Sequence, residues 1–157
     1  MKLLFLDVDG VLNSKSFLQE NTHSHKMMGS MLNMKQVGMV VDILERTEAS
    51  LVLSSTWRII AEGRKAINDA FGSIKSHIRL PIPCTPTYDP DSDQSFKCRG
   101  EEIDSYLRRL KTWPSHYVIL DDDHDFLPHQ KTFLVNTSWE TGLLAEHAEQ
   151  AIAILNK

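Results

Sequence analysis

What most constrains this chain is a set of short, unbroken apolar runs, each stopped by a cluster of small polar or acidic residues. Leu3–Leu6 stops at Asp7-Val8-Asp9-Gly10, Leu51–Leu53 at Ser54-Ser55-Thr56-Trp57-Arg58, and Tyr117–Leu120 at Asp121-Asp122-Asp123. Such runs are too short for helices and do not alternate, so they read as strands buried on both faces. Phe133–Val135 reads as a fourth strand. Between the runs the apolar spacing turns helical. Val37, Val40, Val41 and Leu44 predict a helix from about Met34 to Thr47, capped by Asn33. Ile60, Gly63, Ile67, Ala70 and Phe71 predict a second. Ile103, Tyr106, Leu107 and Leu110 predict a third, opened by Arg99, and Leu144, Ala148, Ala151, Ile152 and Leu155 a C-terminal one.

Strands alternating with helices give an α/β architecture of three layers, a parallel sheet flanked by helices. In an open parallel sheet the ligand crevice lies outside the carboxyl ends of the strands. The three polar clusters, far apart in sequence, are therefore expected to meet. Two stretches stand outside the pattern. Residues 14–32, rich in Ser, His, Asn and Met, read as a loop or small insertion. Pro81, Pro83, Pro86 and Pro90 make 81–95 a loop, with a short extended piece at Ile78–Leu80.

Composition narrows the function. With 157 residues the chain is expected to form one domain, 1–157, and 17 basic against 21 acidic residues give a net charge of -4. That balance argues against a long polyanion-binding surface, although one phosphate needs only a local basic cluster. Cys84 and Cys98 have no metal-ligand spacing, and no apolar stretch approaches the ~20 residues of a membrane span. The apolar start Leu3–Leu6 meets acids at once, unlike a signal peptide, so the expected compartment is the cytosol.

Several carboxylates in one crevice repel one another, and a site that keeps them ionised usually holds a hard divalent cation with oxygen ligands; magnesium suits such a set. Asp7, the carbonyl of Asp9, Asp121 and Asp122 are the candidate ligands. A strand-end carboxylate can also attack phosphorus and form an aspartyl-phosphate, which makes Asp7 the candidate nucleophile. Asp9, two residues on, is the candidate general acid and base. Phosphoryl transfer further requires donors on the equatorial oxygens. Ser54 and the Ser55 amide supply them with a cation, for which Arg99, Lys97 and Arg58 compete.

Asp7-Val8-Asp9-Gly10-Val11-Leu12, then Ser54, a basic residue before the third helix and Leu120-Asp121-Asp122, in that order, resemble the four motifs of the haloacid dehalogenase (HAD)-like phosphohydrolase superfamily. The likeness spans nearly the whole chain. Ser54-Ser55-Thr56-Trp57-Arg58, Arg99-Gly100-Glu101-Glu102-Ile103 and Thr141-Gly142-Leu143-Leu144 further resemble the small phosphatase-like domains of RNA-repair proteins. The phosphatase domain of polynucleotide kinase-phosphatase is similar in its basic-Glu-Glu-Ile helix and its Asp-Asp pair. The resemblance implies a Rossmann-like fold and magnesium-dependent removal of a terminal phosphate from a nucleotide or a nucleic-acid end, such as a 3'-phosphate. It departs from the superfamily at the third motif, usually lysine, where either Arg99 substitutes or Lys97 takes the role. A specificity cap is absent or minimal, since 14–32 and 76–97 are the only candidate insertions.

Other readings compete. A non-catalytic HAD-like module would keep the fold and bind phosphate or a protein, but a decayed site usually loses its nucleophile. A phosphoacceptor receiver domain would place its phosphorylated Asp after the third strand with a downstream Lys, which the Ser54 cluster fits poorly. Asp123 and Asp125 read as solvated spectators and Trp57 as packing. Arg58 reads either as the partner of an acid in the site or as a substrate contact. His23 and His25 read as surface residues, while Met27, Met28, Met31 and Met34 read as core filling or an apolar lid.

Overall fold

The computed structural model describes residues 1–21, 31–74, 78–89 and 94–157. The strands are β1 (Lys2–Leu6), β2 (Ser50–Leu53), the short pair β3 (Tyr88–Asp89) and β4 (Gln94–Ser95), β5 (His116–Asp121) and β6 (Leu134–Asn136). The helices are α1 (Lys15–Glu20), α2 (Met34–Thr47), α3 (Ala61–Ile74), α4 (Arg99–Arg108) and α5 (Ala145–Leu155). Two 3-10 turns, Thr56–Ile59 and Pro128–Phe133, precede α3 and β6.

The main sheet is four-stranded in the order β2-β1-β5-β6, with every pair parallel. The apolar run of β1 is divided between two cores by the pleat. Leu4 and Leu6 join Leu51, Leu53, Val118, Leu120 and Val135 under α2, α3 and α5. Leu3 and Phe5 join Val52, Tyr117 and Ile119 under α4 through Ile103 and Leu107. Both faces are covered, which is why these runs do not alternate. On the α4 side Phe5 meets Tyr106 and Tyr117 edge-to-face, with centroids 5.7 and 5.9 Å apart.

Helix α2 spans its expected residues, and the Asn33 side chain accepts the Lys35 N–H at its start. Elsewhere the outline differs from expectation. Phe133 closes a 3-10 turn, so the fourth strand begins at Leu134. The extended piece expected at Ile78–Leu80 lies instead at 83–85, where the Pro83 carbonyl accepts the Leu53 N–H and the Thr85 N–H donates to the Leu53 carbonyl. This edge contact needs no N–H from Pro83, so proline is tolerated there. The stretch 14–32 contains α1, and 81–95 contains the β3–β4 pair. His23, His25, Met27 and Met28, read above as surface or lid residues, lie outside the described residues. Met31 is half-buried and Met34 is exposed at the first turn of α2.

Candidate active site

Strand register brings the clusters level. Leu6 is paired with Leu53 on one side and Leu120 on the other. Asp7, Ser54 and Asp121 are therefore neighbours one step past a common row. The Asp7 N–H donates to the Leu120 carbonyl and the Ser54 N–H to the Leu6 carbonyl. Because Leu6, Leu53 and Leu120 all face the α2/α3/α5 core, pleating turns the next residues toward α4. Arg99 opens α4, and its Nη1 lies 3.5 Å from Asp7 Oδ1.

Asp7, Asp121 and Asp122 each offer a carboxylate oxygen, all within 4.8 Å of one another. Asp7 and Asp121 are almost fully buried. Burial first, and then the Asp121 charge, push the Asp7 carboxyl well above the ordinary carboxylate range, against the pull of Arg99 and a side-chain hydrogen bond from Ser55. Asp121 is also raised, chiefly by burial, and Asp122 more mildly for the same first reason. Asp121 Oδ1 accepts the Asp123 N–H, while Oδ2 is buried without a partner. Clustered carboxylate oxygens with one orphaned acceptor fit a hard divalent cation.

Gly10 gives the loop its shape. Its φ is +81°, and a Cβ there would fall 2.1 Å from Cγ of Asp122, so a side chain at position 10 would displace that carboxylate. Thr137 Oγ1 donates to the Gly10 carbonyl, and the Leu143 N–H to the Val11 carbonyl. The Thr141–Leu144 signature thus buttresses the loop that carries Asp7 and Asp9.

Two buried donors make no hydrogen bond: Ser54 Oγ, and Arg99 Nη1, which faces Asp7 Oδ1. Ser55 caps the 3-10 turn by accepting the Trp57 N–H, so the Ser cluster opens a 3-10 turn and not the predicted α-helix directly. Lys97 is exposed, and its backbone N–H donates to Glu101. Arg58 is buried among protein acceptors: Nε donates to the Thr85 carbonyl, Nη1 to the Ser55 carbonyl, and Nη2 lies 2.8 Å from Glu102 Oε1. Of its two readings, the structure brings Arg58 to an acid.

Other residues gain roles that their local sequence did not signal. Asp125, expected to be a spectator, accepts the Arg99 N–H through Oδ2 and the Gly100 N–H through its carbonyl, so it fixes the start of α4. Gln130 donates to the Gly100 carbonyl and accepts the Leu127 N–H, tying the loop after β5 to the same helix start. Trp57 is packed as expected, but its Nε1 also donates to Asp9 Oδ2 at 2.8 Å. An indole buried two residues after a serine cluster carries no sequence sign that its N–H meets an acid from the loop after β1.

The family described as the HAD domain in Swiss Army Knife RNA repair proteins matches residues 3–148. No curated protein and no solved structure matches the chain. Among the described residues no helix is long and apolar enough to cross a membrane.

Proposed function

The chain belongs to the HAD domains of Swiss Army Knife RNA repair proteins, and from that premise we propose that it is a magnesium-dependent phosphomonoesterase acting on the phosphorylated end of a nucleic acid. The observation that carries this reading is the meeting of Asp7, Asp121 and Asp122 beside Arg99 and the unpartnered Ser54 hydroxyl. The crevice pairs a nucleophile with donors for the oxygens of a phosphoryl group.

Asp7, Asp121, Asp122 and the Asp9 carbonyl would hold the magnesium ion, which when bound neutralises the carboxylates and phosphate charge. Ser54 Oγ, the Ser55 N–H and the Arg99 guanidinium hold the equatorial oxygens. A carboxylate oxygen of Asp7 forms a bond to phosphorus as the bond to the leaving oxygen breaks, and Asp9 gives that oxygen its proton. Asp9 then takes a proton from water as the water oxygen attacks phosphorus. The bond to Asp7 breaks and inorganic phosphate leaves. Lys97, exposed ahead of α4, is the auxiliary cation for a longer substrate. Arg58 acts by holding Ser55 and Thr85 in place.

Phosphate release from a panel of an aryl phosphate, 3'- and 5'-mononucleotides and RNA oligonucleotides phosphorylated at either end tests this reading. Magnesium-dependent turnover, highest on a 3'-phosphorylated oligonucleotide, is the expected result. No release from any member overturns it.

The raised carboxyls also make a stability prediction. The folded protein holds protons at Asp7 and Asp121 that the unfolded chain has released, so without metal it loses stability as pH rises from the ordinary carboxylate range toward their raised values. A cation that binds the ionised cluster reverses this. Magnesium should raise Tm by about 5 °C or more at about pH 8, and by clearly less at about pH 5. An equal shift at both, measured calorimetrically, would exclude the cluster as the binding site.

A further inference from the structure

We infer that Trp57 is a positioning residue for Asp9: its indole N–H holds one carboxylate oxygen so that the other is the one that delivers and recovers the proton. The inference rests on the phosphatase reading above and deepens it. Trp57 Nε1 donates to Asp9 Oδ2 at 2.8 Å, and the residue is only 7% exposed. An N–H that does not ionise can serve the carboxylate and the carboxylic acid alike. With Oδ2 held as an acceptor in both states, Oδ1 carries the proton.

The donor is rigid because its own backbone is fixed. The Trp57 N–H donates to Ser55 Oγ, the Ile60 N–H donates to the Trp57 carbonyl, and α3 packs directly on the turn. At Gly63 of α3 a Cβ would stand 2.8 Å from the Trp57 carbonyl oxygen and 3.4 Å from its ring, so only glycine allows this approach.

The 3-10 turn sits against the first motif at two points. Just ahead of it the Ser54 N–H donates to the Leu6 carbonyl beside Asp7, and Trp57 reaches Asp9, itself two residues after Asp7. One rigid turn thus sets the nucleophile and the proton donor in register with each other, and Ser54 just before it faces the same crevice.

Proton delivery matters when the leaving oxygen is a poor one. In the first step the bond from Asp7 to phosphorus forms, the ester bond breaks, and the proton on Asp9 Oδ1 passes to the departing oxygen. An alkoxide from a ribose needs that proton, whereas a nitrophenolate does not. Misplacing Asp9 should therefore penalise alkyl esters selectively, while a general loosening of the fold penalises both.

The test compares kcat/KM for p-nitrophenyl phosphate and for a 3'-phosphorylated ribonucleotide, since this parameter reports the first step. In Trp57→Phe the aryl-to-alkyl ratio should rise about tenfold or more over wild type. In an Asp9→Asn background, where the ratio has already risen, Trp57→Phe should raise it no further. Should Trp57→Phe fold poorly, benzothienylalanine at position 57 keeps the bicyclic shape and lacks only the N–H; the same rise is expected. An unmoved ratio in a wild-type-like fold overturns this inference alone. An unmoved ratio in Asp9→Asn overturns both it and the acid role of Asp9. No phosphate release by wild type overturns the phosphatase reading and this inference with it.

Discussion

Asp7→Asn should abolish phosphate release, by about 10⁴-fold or more, and leave the protein folded. The amide keeps the shape of the carboxylate but cannot form a covalent bond to phosphorus, so no labelled protein should be trapped by acid quenching during turnover of a labelled substrate. The same change removes a charge that the fold tolerates poorly. Asp7 is buried, and that burial and the Asp121 charge raise it more than Arg99 and hydrogen bonds from Ser55 and Val8 lower it. Without metal, Asp7→Asn should therefore be more stable than wild type at about pH 8, where the wild-type carboxyl must either ionise in the crevice or hold a costly proton. The magnesium-induced rise in Tm should shrink in parallel. Activity lost with stability gained marks a functional acid. A variant that turns over at the wild-type rate would remove Asp7 from the mechanism, and one that simply unfolds would make it a packing residue.

How much of this site could be read in the sequence depends on what fixed each residue. The row of Leu6, Leu53 and Leu120 is set by burial on both faces, and burial leaves an unbroken apolar run that anyone can count. The acids and serines that end those runs then fall into one crevice by parallel pairing alone, so Asp7, Ser54, Asp121 and Asp122 were legible. Helix α2 was legible down to its cap because Asn33 and the apolar spacing agree. The rest is held by contacts with no local signature. Asp125 and Asp123 look alike in an acidic loop, yet only Asp125 receives the Arg99 N–H, because α4 happens to begin beside it. The segment at 83–85 reads as a loop from its prolines, and its edge pairing depends on a carbonyl that proline retains. The 3-10 turn at Thr56–Ile59 hides inside a pattern that runs smoothly into α3. The aim of Trp57 at Asp9 is set by how tightly α3 packs on that turn, which is a property of three dimensions.

Arg58 shows the same division, and its removal should give the largest loss of stability. The sequence allowed it either a partner acid or the substrate. In the fold its side chain is 4% exposed and its guanidinium meets the Thr85 and Ser55 carbonyls and Glu102, whose side chain is 17% exposed. Arg58→Met keeps the aliphatic stem and removes every donor. It leaves Glu102 facing an apolar group and takes the guanidinium donors from the Thr85 and Pro86 carbonyls, while the Ser55 carbonyl keeps the backbone N–H of residue 58, a loss of about 3–5 kcal/mol in urea unfolding. Glu102 retains some compensation from Arg99 Nε at 3.9 Å, so replacing Glu102 by Gln in the Arg58→Met background should recover part of that loss. Because Arg58 binds the 83–86 segment to the Ser55 carbonyl, phosphate release should fall as well, through a loosened Ser54–Ser55 pair. A residue that instead gripped the substrate phosphate would raise KM strongly and shift the urea midpoint little. The two roles separate on the unfolding curve: a substrate contact can be lost without cost to the folded state, whereas a buried charge stripped of its partner cannot.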